Sequence, residues 1–177
     1  MVVECAFGNA AELMQVSPDM TVLSKGIANG YPLAVVCGPV PIMDQIISNQ
    51  TTGTFNVEAL SLAAAIATIE ELRDRDVPSH LMRMGRRLID GLNEITTSYG
   101  LAARAFADPI AAMPNFRFTH SDERTARHAH AAFYSAVIRH GLFLSDWHMG
   151  FTCFSHQEPD IDQALESCDL VLRDLNF

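Results

Sequence analysis

Lys25 is the only lysine in the chain, and every other permanent cation is an arginine. It follows the apolar run Met20-Thr21-Val22-Leu23 and Ser24, and precedes the glycine-bearing stretch Gly26-Ile27-Ala28-Asn29-Gly30-Tyr31-Pro32. Lysine ordinarily sits in solvated, charged surroundings. A lone amine at the end of a buried strand is instead a candidate for covalent chemistry. Burial disfavours the ammonium form, so the free amine that attacks a carbonyl becomes available near neutral pH. Gly26 would allow another group close to the backbone, while Gly30 and Pro32 predict a sharp turn into the next strand. From spacing alone a single retained surface lysine, in lysine's usual place, is the better-founded reading.

A second candidate group is Thr54, beside Gly53 and just ahead of a long alanine-rich run. The first amides of a helix lack partners and carry the positive end of its dipole, so a hydroxyl there would add a donor to a phosphate seat. Thr54 and Asn56 read equally well as turn and capping residues. His128 and His130 are spaced i, i+2, which turns the rings to different sides of a helix, so they read as structural or surface histidines and no metal site is expected. Cys5, Cys37, Cys153 and Cys168 are scattered, with no Cys-x-x-Cys pair, and read as reduced, mostly buried thiols.

The run from Pro18 through Ser24-Lys25-Gly26 to Gly30-Tyr31-Pro32 resembles the cofactor-lysine signature of class III aminotransferases, pyridoxal-phosphate enzymes of fold type I. Gly53-Thr54-Phe55, followed by Ala59-Leu60-Ser61-Leu62-Ala63-Ala64-Ala65, is similar to that family's Gly-Thr-Phe segment and the helix after it. Phe154-Ser155-His156-Gln157-Glu158-Pro159-Asp160-Ile161-Asp162 resembles the segment opening the family's last helix. The resemblance implies an α/β protein: the end of a fold type I large domain over 1–77, then a small α+β C-terminal domain over 78–177.

It also implies a chemistry. Lys25 would be the catalytic residue, holding pyridoxal phosphate through a Schiff base and moving a proton as base and acid. Gly53 and Thr54 would bind the cofactor phosphate of a partner subunit, which implies a homodimer with shared sites. The substrate would be a small amine, amino acid or keto acid. Class III enzymes acting on keto acids commonly carry an arginine before the last helix, and His148 to His156 has none. That directs the resemblance to the glutamate-1-semialdehyde aminomutase subgroup. Glu58-Ala59 stands where many members have Asn-Pro. The family's lysine lies well past the middle of a longer chain, so these residues are expected to be a truncated portion, inactive alone. The alternative is a non-catalytic assembly subunit needing a second chain.

The elements that position these groups follow from patterning. At 177 residues, 49% hydrophobic and 19% charged, the chain is globular in class. Its formal charge of −9 argues against nucleic acid or an anionic membrane as partner, and with no signal-like or bilayer-length apolar stretch a cytoplasmic protein is expected. Ala10 to Met14 has helical preference. Met20–Leu23 predicts a buried strand, and Leu33–Cys37 a strand needing cover on both faces. Ile42–Ser48 predicts a helix burying Met43, Ile46 and Ile47, and Val57–Arg75 a buried helix ended or bent by Pro78. Leu81, Met84, Leu88, Leu92 and Ile95 mark an amphipathic helix.

Further on, Asn115–Thr119 alternates with period two, placing Phe116 and Phe118 on one face. Ser121 is the expected cap of a helix running to His140 and closed by Gly141. Leu142–Ser145 and Phe151–Ser155 read as strands around a turn at Trp147-His148, residues that read either as core packing or as a substrate entrance. Pro159 opens a last helix with Ile161, Leu165, Cys168, Leu172 and Leu175 on its apolar face.

Overall fold

The computed structural model describes residues 9–49, 52–56 and 58–175, with Asn9 and Ile47 described by their backbone only. The expectations for Cys5, the Gln50-Thr51 part of the loop, Val57 and the Ile47 side chain lie outside the described residues. The chain divides into two compact units, Met1–Ser79 and His80–Phe177.

In the first unit a short helix, α1 (Asn9–Leu13), precedes strand β1 (Thr21–Ser24), a 3-10 turn (Lys25–Ala28) and strand β2 (Ala34–Cys37). Helices α2 (Val40–Ser48) and α3 (Ala59–Asp74) follow. β1 and β2 pair antiparallel with Val22 opposite Val36 and Leu23 opposite Val35. Side chains alternate across a sheet, so these two pairs face opposite ways. Leu23 and Val35 pack with Leu33 against Ile27, Ala28 and Ala65, whereas Val22 and Val36 are 60% and 41% exposed.

Within this unit the two-stranded sheet has one covered face, and the Val22–Val36 face is open. α3, expected to be buried, is likewise covered on one side here. Only Ser61 and Ala65 are buried along it, while Leu60 and Ile66 stand exposed. Apolar residues all round a helix mark it as able to be surrounded. Within this unit one stripe is used, against the turn that carries Ile27 and Ala28.

The second unit is organised by α4 (Val77–Ser98), whose N-terminal turn begins in the first. Pro78 lies in that first turn, where its missing N–H costs nothing. β3 (Ala103–Phe106) and β4 (Asn115–Phe118) form an antiparallel pair with Ala105 opposite Phe116, followed by α5 (Glu123–Arg139) and α6 (Glu158–Asp174). The Asn93 side chain closes the outer edge of β3, donating to the Ala105 carbonyl at 3.0 Å and accepting from its amide at 2.9 Å. One amide side chain thus does for that residue what a third strand would do.

The core gathers Leu92, Ala105, Phe116, Phe133, Val137, Cys168 and Leu172. Phe116 and Phe118 share a face, as their period requires, with ring centroids 5.4 Å apart. Three local expectations are corrected. The α5 cap is Asp122, whose carboxylate accepts from the Thr125 amide at 2.9 Å, in place of Ser121; a carboxylate one residue nearer reaches that amide. Residues 142–145 and 151–155 are not strands: Leu142 N–H donates back to Val137 O at the end of α5, and Thr152 N–H to Ala112 O of a loop. Cys37 and Cys153 are exposed, and only Cys168 is buried among the described cysteines. Burial pushes the Cys168 thiol up to about 12. Among the described residues no helix is long and apolar enough to cross a membrane.

Candidate active site

Ser24 ends β1 in extended conformation, and its hydroxyl donates to the Leu33 carbonyl at 2.9 Å, tying together the two ends of the connection that carries Lys25. The chain then reverses sharply. Lys25 has φ +57°, in the left-handed region that side chains other than glycine and asparagine rarely adopt, at a cost of about 1–3 kcal/mol. Asn29 closes the turn, also left-handed at φ 45°, with its amide donating to Gly26 O. Between them Ile27 and Ala28 are buried, in contact with Ala65 of α3. That small apolar anchor holds the turn and offsets the backbone strain at its first residue.

The result is an outward-facing amine. Lys25 is exposed, which corrects the expectation of a desolvated lysine on a buried strand. Around it lies a shallow cavity of about 360 Å³ walled by residues 24–26 and 29–33, with Asn29 and Tyr31 supplying polar groups. Sequence reasoning did not select those two side chains. The Asn29-Gly30 pair, a strong left-handed turn signal, was the available clue.

Gly53 and Thr54 do not wall this cavity. They form a separate turn in which Asn56 N–H donates to Gly53 O at 3.1 Å. Thr54 is exposed on it, and a Cβ at Gly53 would sit 3.0 Å from the Asn56 side-chain oxygen. The expected open phosphate seat at the following helix is corrected. Glu58 is the N-cap of α3, and its carboxylate accepts from the amides of Leu60 at 2.9 Å and Ser61 at 2.6 Å. An anion already built into the chain holds those donors.

Ser61, then the Leu60 amide, holds the Glu58 carboxyl below the ordinary carboxylate value. A depressed folded-state pKa gives a stabilising contribution that is complete above the ordinary carboxylate value and is lost as pH falls through the depressed one. Glu58→Ala is expected to speed hydrogen exchange at the Leu60 and Ser61 amides. It should also flatten the acid limb of that exchange, measured by pH-resolved NMR.

Residues 7–152 match the family model for class-III aminotransferases. A glutamate-1-semialdehyde 2,1-aminomutase from Pyrobaculum calidifontis is 31% identical over 180 residues, a match covering 95% of this chain and 40% of that protein. A 3-aminobutyryl-CoA aminotransferase from Cloacimonas acidaminovorans is 26% identical, covering 92% and 39%. Among solved structures, the FumI protein of Sphingopyxis sp. MTA144, in its pyridoxal-phosphate internal aldimine form, superposes with a TM-score of 0.82 at 25% identity, covering 93% of this chain and 39% of that one. The chain thus spans about two-fifths of the length of the relatives it matches. With the family model spanning most of its residues and this fold shared along nearly its whole length, the chain belongs to the class-III aminotransferase family.

Proposed function

We propose that this chain is the part of a pyridoxal-phosphate-dependent aminotransferase or glutamate-1-semialdehyde-type aminomutase that carries the cofactor lysine, Lys25. The observation that supports this best is the backbone at Lys25: the only lysine of the sequence, held left-handed at the head of a turn anchored by Ile27 and Ala28. A strained non-glycine residue beside a cavity points to function rather than packing.

The residues fit the cofactor in part. A primary amine at the rim of a cavity with Asn29 and Tyr31 suits the carbonyl end. For the phosphate, the chain offers the Thr54 hydroxyl and the turn opened by Gly53, since Glu58 has taken the helix amides. Thr54 would serve a partner's site across a homodimer. Residues 1–77 would be the end of the large domain and 78–177 the small one. Contacts to the pyridine ring would come from the part of the family fold outside this chain.

When bound, pyridoxal phosphate supplies an electron sink for a carbanion on the substrate. Lys25 Nζ would hold the cofactor and, once released, take and return the proton on the carbon that bears the substrate amine. Its exposure leaves room for an amine, amino acid or keto acid to reach it. Asn29 and Tyr31 would orient that group. We place the reaction in the cytoplasm.

The test is to incubate the chain with pyridoxal phosphate, reduce with borohydride and map the labelled peptide. The label should fall on Lys25, apart from the chain's α-amino group, and be absent from Lys25→Ala. A folded protein with no label at Lys25 overturns the assignment. The open apolar surface of the first unit, with Val22, Val36, Leu60 and Ile66 exposed, supports a second reading. In it the chain is an assembly subunit whose label forms only after a second polypeptide covers that surface.

A further inference from the structure

Asn29 and Gly30, at the far end of the Lys25 turn, are both exposed, and of the chain's asparagines only Asn29 is followed by glycine. Asparagine is chemically labile. Its decay runs through the backbone, where the nitrogen of the next residue attacks the side-chain carbonyl carbon. Glycine favours that attack because no Cβ shields its nitrogen. Nor does a neighbouring group shield it: a Cβ built at Gly30 would meet no atom within 4 Å. The Asn29 side chain forms no hydrogen bond among the described residues. Asn93 is the contrasting case, with its amide both donating to and accepting from Ala105.

The turn itself opposes the reaction. Asn29 has φ 45° and ψ 52°. At that ψ the Gly30 nitrogen lies trans to the Asn29 Cβ across the Cα–C bond, whereas ring closure requires the two to be cis. A rotation of roughly half a turn about that bond carries Tyr31 away from Ala28 and breaks the hydrogen bond from Tyr31 N–H to Ala28 O, 3.1 Å long. The Ser24 hydroxyl, on the Leu33 carbonyl at 2.9 Å, ties the two ends of the same connection. What anchors the turn is small, Ile27 and Ala28 against Ala65. Segments held by few buried contacts open at much less than the global unfolding free energy.

We propose that Asn29-Gly30 is a self-modification site, locked by the left-handed turn and released by its local opening. The Gly30 nitrogen bonds to Asn29 Cγ, the Cγ–Nδ2 bond breaks, and the proton from the Gly30 nitrogen leaves with the amide nitrogen as ammonia, closing a cyclic imide. Water then opens the imide at one of its two carbonyls, giving aspartate or isoaspartate; no oxidant or reductant takes part. Either product puts a carboxylate in the wall of the cavity that Lys25 lines. Isoaspartate also lengthens the main chain by one methylene between Ala28 and Gly30, so the Tyr31–Ala28 bond is lost. Aged chains are thereby marked at the turn that presents Lys25.

The test ages the full chain in mildly alkaline buffer, digests it, and reads amide-to-acid conversion by mass spectrometry and isoaspartate by enzymatic methylation. Conversion should concentrate at Asn29, spare Asn93, and run several-fold faster in urea than in the folded chain. Ile27→Ala, which weakens the anchor, should bring the folded rate toward the urea rate. Ser24→Ala, which removes the tie to Leu33 and leaves the apolar anchor intact, should move it the same way with unchanged circular dichroism. Equal rates in the folded and urea-unfolded chain would overturn the proposal. So would conversion spread evenly over the asparagines, or a folded chain that stays unmodified while the unfolded one is consumed. The reaction is read with no pyridoxal phosphate present, so it stands or falls separately from the labelling of Lys25.

Discussion

Gly85→Ala should destabilise the second unit by about 3 kcal/mol or more, against a helix-propensity gain of only about 1 kcal/mol in the other direction. Gly85 lies inside α4, where an alanine would ordinarily be the better residue. Here a Cβ would lie 1.9 Å from the Ala111 carbonyl oxygen, 2.4 Å from its carbon and 2.9 Å from the Ala112 nitrogen. All three are main-chain atoms of a buried loop, and that loop is itself held: the Ala112 carbonyl accepts from the Thr152 amide at 3.0 Å, and the Thr152 hydroxyl donates to Leu81 O of α4 at 3.0 Å.

The loop cannot yield without breaking those bonds, so the clash decides the sign. Gly91→Ala on the same helix makes the comparison. Its Cβ would meet only side-chain atoms of Leu165, its two methyls at 2.5 and 2.8 Å and Cγ at 3.2 Å, which can shift without breaking a backbone hydrogen bond. Urea unfolding of the full chain should show a much lower midpoint for Gly85→Ala than for Gly91→Ala. Equal midpoints would mean that the loop at Ala111–Ala112 yields to the added methyl.

Phe133→Ala should cost about 3–5 kcal/mol, the range for emptying a fully buried aromatic site. Phe133 has no exposed surface, and its ring centroid lies 4.9 Å from that of Phe116, 5.9 Å from Phe118 and 5.2 Å from Tyr134. It thus packs α5 onto β4 beside Tyr134, whose hydroxyl donates to the Phe116 carbonyl at 3.2 Å. Cys168 belongs to the same core, and its thiol, pushed up to about 12 by burial, stays protonated and covered at neutral pH. A thiol reagent should therefore modify Cys37 and Cys153 quickly and Cys168 only through opening of this core. In Phe133→Ala the rate at Cys168 should rise in proportion to the lost stability. A rate unchanged from the parent would show that Cys168 opens without involving Phe133.

The two largest effects sit in the second unit because that unit has a closed core. Its helices, and strand β4, were legible beforehand: Leu81, Met84 and Leu92 recur at helical spacing and are buried, and Pro159 falls in the first turn of α6. Those signals are local, since a period or a cap is a property of neighbouring residues. Leu142–Ser145 and Phe151–Ser155 read as strands and are none. The Thr152 amide is taken by Ala112 and that of the neighbouring Gly150 by Pro114, far away in sequence, and no periodicity records such partners.

The sequence by itself determined the family, through residue types in order: one lysine after an apolar run, the Ser24-Lys25-Gly26 and Gly53-Thr54-Phe55 blocks, and their spacing. It also named Lys25 as the residue to ask about, because a side chain's chemistry is written in its identity. Only the tertiary structure decided its surroundings. Which face of β1 is covered depends on Ile27 and Ala28 meeting Ala65 across the chain, and the openness of the Lys25 amine is read only from the folded chain. Glu58 filling the α3 terminus and Trp147 standing bare beside His148 are likewise outcomes of packing and hydrogen-bond geometry. Burial and partnership are sums over residues distant in sequence, and those sums exist only once the chain has folded.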